Sequence, residues 1–111
     1  MPMNYLIISA INRYYNFYGD SFKVECPAHS GKWMNLLEVA NELRSRLISI
    51  FTADDKGNRP VFAEYNQFYN RPENKDLILF HEYFHGDNSK GLGSSHQTGW
   101  TALIAKLVDE I

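Results

Sequence analysis

The sequence predicts an all-α fold with one short extended segment around residues 59–65. Three stretches of the 111-residue chain place apolar side chains every three to four positions, which is the period of an amphipathic helix. Apolar residues make up 44% of the chain, so a hydrophobic core can form and a disordered chain is excluded. The length suits one small domain.

The first predicted helix lies near the N-terminus. Ile8, Ile11 and Tyr18 belong to its apolar stripe, and Gly19 follows where a glycine commonly ends a helix. Asn4 stands at the start of this helix, where its side chain is either a plain N-cap or able to reach a neighbouring site.

The second predicted helix carries the clearest start signal. Asn35 is placed as an N-cap and Glu38 follows three residues later, which resembles a capping box. The charged residues of this segment, Arg44 among them, are predicted to face away from the apolar stripe. That stripe consists of Leu36, Ala40, Leu43, Leu47 and Phe51.

The third predicted helix runs to the C-terminus. Its stripe is formed by Trp100, Leu103 or Ile104, Leu107 or Val108, and Ile111. The pattern is apolar up to the last residue, and the first helix is apolar from near its beginning. These apolar ends predict that residues 1–111 are one fragment of a larger domain.

The segments between the helices are predicted to be irregular. Residues 20–32 contain Pro27 and Gly31, and residues 54–58 carry a turn signal. Residues 66–75 and the glycine- and serine-containing residues 87–95 are also expected to be loops.

Charge and composition exclude several partners. The net charge is −2 and the lysines and arginines are scattered, so no nucleic-acid partner is expected. No apolar stretch approaches the roughly 20 residues that span a bilayer, and no signal peptide is recognisable. A single cysteine, Cys26, cannot form a disulfide framework and fits a reducing compartment, so we expect a cytoplasmic protein.

A short metal-binding pattern lies at residues 81–85. His81-Glu82-Tyr83-Phe84-His85 matches His-Glu-x-x-His, in which two histidines on one helix face bind zinc and the glutamate is the general base of a peptidase. Gly86 follows at once and would end that helix at its second ligand. A third ligand six residues after His85 is missing, since that position holds Gly91. We therefore expect no metal and no other cofactor, and keep a zinc peptidase as an alternative.

A longer string around the same residues resembles an enzyme family. Residues 80–87 and 91–103 combine a Glu-Tyr-Phe segment, a Gly-Leu-Gly loop and a Thr-Gly-Trp-Thr-Ala helix start. This combination resembles the C-terminal catalytic block of glycoside hydrolase family 63-like enzymes, which include processing α-glucosidases and mannosylglycerate hydrolases. Residues 2–6 and 18–27 resemble further segments of the family more weakly.

The resemblance implies the terminal helices and catalytic loop of an (α/α)6 toroid, with the active site at its mouth. It implies a carbohydrate substrate, either an oligosaccharide or another glycoside, and an inverting mechanism that uses two carboxyl groups. The glutamate of the Glu-Tyr-Phe segment is the family's general base and falls on Glu82. The general acid lies far upstream in family members, so the chain is expected to be inactive without the missing N-terminal part of the same enzyme.

Other candidate site residues surround Glu82 in the sequence. His81 and His85 are either positioning residues for Glu82 or ordinary loop histidines, and Tyr83 is either a packing residue or a wall against the sugar. His96, Gln97 and Trp100 face the same loop at the start of the third helix, where a tryptophan can stack on a sugar ring. For Trp100 a core position on the apolar stripe is the alternative. A third possibility for the whole chain is a non-catalytic helical domain that binds a partner through its aromatic surface.

Overall fold

The protein is described by a computed structural model, which covers residues 1–74, 77–96 and 98–110. Helices are the main element, as predicted, but two small antiparallel sheets show that the chain is not all-α. In chain order the elements are α1 (Pro2–Tyr18), β1 (Lys23–Glu25), β2 (Trp33–Asn35), α2 (Leu36–Ser49), a 3₁₀ helix (Pro60–Tyr65), α3 (Asn66–Tyr69), β3 (Tyr83–Phe84), β4 (Gly91–Leu92), α4 (Thr98–Thr101) and α5 (Leu103–Asp109).

The first helix ends as predicted but begins earlier. Gly19 has a φ of 70°, a left-handed conformation that glycine adopts without strain, and its N–H donates to the Tyr15 carbonyl at 2.7 Å. Pro2 occupies the first turn, where its missing N–H costs nothing. Asn4 therefore lies inside the helix, and the alternative of a plain N-cap is wrong.

The second helix begins with the predicted capping box. The Glu38 N–H donates to the Asn35 side chain at 2.9 Å, and the Asn35 N–H donates back to the Glu38 carboxylate at 3.3 Å. The placement of Arg44 on the solvent face is wrong, because only 3% of this residue is exposed. Helix α2 contacts both α1 and α5, so its buried face is wider than one apolar stripe.

The predicted loop at residues 20–32 contains a strand. Strands β1 and β2 form an antiparallel hairpin in which Val24 pairs with Met34. The Glu25 carboxylate accepts hydrogen bonds from the backbone N–H groups of His29 and Gly31 at 2.6 and 2.9 Å. These bonds satisfy backbone N–H groups of the turn, and the pattern of residue types does not reveal them.

The predicted extended segment at residues 59–65 is wrong, since Pro60–Tyr65 is a 3₁₀ helix. Pro60 fits its first position, and the Asn66 side chain accepts from the Arg59 N–H at 2.8 Å and donates to the Ala63 carbonyl at 2.7 Å. Helix α3 follows inside a segment predicted to be irregular. The Phe62 and Tyr69 rings stack at 3.9 Å, and this tertiary contact favours the short helix.

The C-terminal helix is divided into α4 and α5. Ile104 and Leu107 of the predicted stripe are buried, whereas Trp100 is 49% exposed and does not belong to the core. The buried side chain of α4 is that of Thr101. Ile111, the last member of the stripe, lies outside the described residues.

The described residues form one core cluster between α1, α2, the 3₁₀ helix and α5. Its members are Ile8, Ala40, Ile50, Phe51, Val61, Phe62, Ile104 and Leu107. The predicted turn at residues 54–58 is confirmed, because the Asp54 side chain accepts from the N–H groups of Lys56 and Asn58 at 2.8 and 2.9 Å. None of the helices in the described ranges is long and apolar enough to cross a membrane.

Candidate functional site

The candidate site lies on a small hairpin formed by β3 and β4. Tyr83 pairs with Leu92 and Phe84 with Gly91, so part of the predicted loop at residues 87–95 is a strand. The Phe84 ring meets the core ring of Phe51 edge-on at 5.7 Å. The hairpin is thereby fixed to the core by its apolar side chain.

Glu82 is held on both its backbone and its side chain by Ser94. The Glu82 N–H donates to the Ser94 carbonyl at 2.9 Å, and the Ser94 N–H donates to Glu82 Oε2 at 3.0 Å. Gly93 makes this approach possible, because a Cβ there would lie 2.9 Å from Glu82 Oε2 and 2.6 Å from Tyr83 Cε1. The half-buried carboxyl group is therefore oriented by a backbone amide, which is a fixed donor with no side-chain freedom to lose.

His81 is half-buried and packs against the second strand of the hairpin. Its ring lies directly against Gly91, where any Cβ would collide with the imidazole. The buried Thr101 hydroxyl donates to the His81 carbonyl, which ties the hairpin to α4. Burial lowers the pKa of the His81 imidazole, so its neutral form is favoured in the folded protein.

Three predicted site residues line one cavity of about 400 Å³. Asn4 contributes from α1, and Tyr83 and His85 contribute from the hairpin. Tyr83 is 53% exposed, so its ring is available to contact a ligand. His85 Nδ1 accepts from the Asp87 N–H at 3.1 Å, so this ring nitrogen is engaged within its own turn. The described lining of this cavity does not include Glu82.

His96, another predicted site residue, contacts Phe80. His96 Nδ1 accepts from the Phe80 N–H at 3.3 Å, and its ring packs against Phe80 with centroids 5.6 Å apart. Trp100 is exposed on α4. Gln97, predicted to bind substrate, lies outside the described residues.

The helix required for the zinc site does not form. Residues 77–81 carry no regular structure, and Tyr83–Phe84 is a strand, so His81 and His85 do not share a helix face. In residues 1–74, 77–96 and 98–110, no three His, Cys, Asp or Glu side chains come together in a group that could hold a metal ion. The predicted placement of His81 and His85 on one helix face, which the alternative peptidase requires, is therefore wrong.

Sequence reasoning missed the residues that support the site. Ser94 orients Glu82 through its backbone, which no residue-type pattern reveals. Thr101 is fully buried and bonded to the hairpin. It belongs to the Thr-Gly-Trp-Thr-Ala string, but the sequence did not indicate this role. The Gly-Leu-Gly string was the sequence signal for this close packing, because a segment that lies very near its neighbour leaves no room for a Cβ.

Comparison with known proteins gives one match in curated proteins. The chain is 46% identical over 112 aligned residues to an uncharacterized protein of Saccharomyces cerevisiae. The match covers 99% of this chain and 10% of the yeast protein, so the chain spans about a tenth of the length of that relative. No protein-family profile and no solved structure matches.

Proposed function

We propose that this chain carries the general base of an inverting glycoside hydrolase that resembles the family 63-like enzymes and cleaves α-linked glucose or a related glycoside. The observation that supports the proposal is Glu82, whose carboxylate is oriented by the Ser94 N–H beside the Gly-Leu-Gly loop. This is the glutamate on which the Glu-Tyr-Phe resemblance places the base. On this proposal the protein acts in the cytoplasm and needs no metal or other cofactor.

The proposed reaction needs a second carboxyl group about 6.5–9.5 Å from Glu82. Glu82 takes a proton from a water molecule as the water oxygen bonds to the anomeric carbon. The bond from that carbon to the glycosidic oxygen breaks, and the general acid gives its proton to this leaving oxygen. By the family resemblance, the general acid belongs to a part of the enzyme outside this chain.

An apolar face on α1 supports the proposed association with the rest of that enzyme. Met3, Leu6 and Phe17 are 74%, 65% and 81% exposed. Leu6 follows Met3 by about one helical turn and Phe17 follows Leu6 by about three turns, so the three side chains lie on one side of α1. Large exposed apolar patches mark contact surfaces. In the proposed (α/α)6 toroid this face packs against a neighbouring helix of the same polypeptide.

The same apolar face favours a second candidate function, a non-catalytic helical domain that binds a partner. Tyr18 contacts both Phe17 and Phe22, with ring centroids 4.9 and 4.8 Å apart, and forms an aromatic cluster at the end of α1. Such a domain would use this cluster and would not need Glu82. The two candidate functions are therefore separated by the effect of a substitution at Glu82.

The test uses the full-length yeast relative with its matching segment replaced by this chain. We expect the chimera to hydrolyse at least one member of a panel of α-glucosides. Glu82→Gln should lower kcat/KM at least about 100-fold, the usual contribution of a general base. Glu73→Gln, the same substitution at an exposed position, is the control and should leave kcat/KM unchanged.

Folding of each variant is checked by circular dichroism and thermal unfolding. Equal kcat/KM for the two folded variants would overturn the role of Glu82. Absence of hydrolysis by both the folded chimera and the native yeast relative would overturn the glycoside hydrolase proposal itself.

A further inference from the structure

The peptide group between His81 and Glu82 is hydrogen-bonded at both of its polar atoms. Its carbonyl oxygen, which belongs to His81, accepts from the Thr101 hydroxyl. Its N–H, which belongs to Glu82, donates to the Ser94 carbonyl at 2.9 Å. Because a peptide group is planar, bonds at its two opposite edges fix the orientation of the whole plane. That orientation sets the direction in which the Glu82 side chain leaves the backbone.

The Thr101 hydroxyl makes a long-range bond where a local bond is common. A helical threonine often donates to the carbonyl four residues earlier in its own helix. Thr52, just after α2, does so, with its hydroxyl 3.0 Å from the Ile48 carbonyl oxygen. Thr101 ends α4, is fully buried, and donates instead to a carbonyl 20 residues earlier in the chain. A local bond would also satisfy a buried hydroxyl, but only the long-range bond joins α4 to the peptide group before Glu82.

The carboxylate of Glu82 depends on the same peptide group. The Ser94 N–H donates to Glu82 Oε2 at 3.0 Å, so the side chain is held at its carboxylate as well as at its backbone. A rotation of the peptide group would move the Glu82 Cβ and turn the carboxylate away from this donor. A bond accepted at the peptide carbonyl also polarises the group and strengthens the bond that its N–H donates. Loss of the Thr101 hydroxyl would therefore loosen Glu82 at both points.

We propose that Thr101 is a positioning residue for Glu82 and acts through the peptide group between His81 and Glu82. The catalytic consequence rests on the proposed function, because a general base must lie within hydrogen-bond reach of the attacking water. A misplacement of about 1 Å can lower a rate about 100-fold. Thr101 is fully buried and does not reach a substrate, so its hydroxyl should affect kcat and leave KM nearly unchanged.

The kinetic test compares Thr101→Val with Thr101→Ser in the chimera of this chain with the yeast relative. Valine keeps the shape of the side chain and removes the donor, so kcat for an α-glucoside should fall about 10- to 100-fold while KM changes less than about twofold. Serine keeps the hydroxyl and should restore most of kcat. Thr52→Val removes a hydroxyl bond outside the hairpin and should leave kcat unchanged. Unchanged kcat in folded Thr101→Val, or an equal loss in Thr101→Ser, would overturn the proposal.

A spectroscopic test on the ¹⁵N-labelled chain needs no enzymatic activity. The Ser94 amide proton is bonded to the Glu82 carboxylate, so its resonance should move when acid protonates that carboxylate. Glu82→Gln should abolish this movement and Thr101→Ser should keep it. Thr101→Val should reduce it by at least about half, because the carboxylate no longer faces the amide. Undiminished movement in Thr101→Val would overturn the positioning role.

The two measurements separate this inference from the proposed function. If neither the chimera nor the yeast relative hydrolyses an α-glucoside, the glycosidase proposal fails, and the Ser94 resonance still decides whether Thr101 orients Glu82. Circular dichroism checks the folding of each variant. If Thr101→Val does not fold, Thr101→Cys, whose S–H is a weak donor, replaces it in both measurements with the same expected direction.

Discussion

Replacing Gly91 with alanine tests the packing that holds the Glu82 hairpin together. A Cβ at this position would fall within contact distance of the His81 ring, 2.7 Å from Cδ2 and closer still to Cγ and Nδ1. Because Cγ is the first ring atom, it cannot move away without a change of the His81 rotamer. Either this rotamer or the pairing of β3 with β4 must therefore give way.

The expected cost follows from two opposing terms. Overpacking of this kind costs about 1–3 kcal/mol, and loss of the flexible glycine from the unfolded chain returns about 0.4–1 kcal/mol. We expect the free energy of unfolding to fall by roughly 1–2 kcal/mol in Gly91→Ala. For a domain of this size, each 1 kcal/mol lowers the melting temperature by about 4–8 °C.

Gly86→Ala provides the matched control on the same hairpin. A Cβ at Gly86 meets nothing within 4 Å, and the φ of Gly86 lies outside the left-handed region. Its melting temperature should remain equal or rise slightly. Thermal unfolding followed by circular dichroism compares the two variants. A Gly91→Ala protein as stable as Gly86→Ala would refute the close approach of Gly91 to His81.

Three further predictions concern the cap, the core and pH. Asn35→Ala should destabilise the protein by about 1 kcal/mol in urea unfolding, whereas Asn35→Ser, which keeps a capping oxygen, should be nearly neutral. Leu107→Ala empties a fully buried position and should cost about 2–5 kcal/mol in the same assay, against a small effect of Leu77→Ala at an exposed position. Burial lowers the pKa of His81 in the folded protein, so the unfolded chain binds the proton more readily. The free energy of unfolding should therefore be highest with respect to this group above about pH 6.5 and should fall as the pH drops below that value. His81→Gln should flatten this part of the stability profile, and a profile unchanged by His81→Gln would contradict the role assigned to its burial.

The helices were predictable from the sequence because their signals are local. Gly19 and the pair Asn35 and Glu38 mark the helix ends through contacts within a few residues. Arg44 was placed wrongly because α2 packs against both α1 and α5, and these contacts join residues that lie far apart in the chain. The 3₁₀ helix at Pro60–Tyr65 similarly depends on the Asn66 side chain and on burial of the adjoining apolar residues.

The candidate site was predictable in its residue types but not in its geometry. The short pattern at residues 81–85 indicates Glu82 as a candidate catalytic residue. That Ser94 orients its carboxylate is seen only in the structure, where β3 pairs with β4. Tyr83, His85 and Asn4 were predicted together and line one cavity. Trp100 was ambiguous because helical periodicity cannot reveal that α4 ends before α5 begins.

The stereochemistry of hydrolysis tests the central proposal most directly. The folded chimera of this chain with the yeast relative is given an α-glucoside, and the anomeric protons of released glucose are followed by ¹H NMR before mutarotation. With Glu82 as the base of an inverting enzyme, β-glucose is released first and Glu82→Gln abolishes its release. Initial release of α-glucose, or undiminished release by the Glu82→Gln protein, would contradict the account.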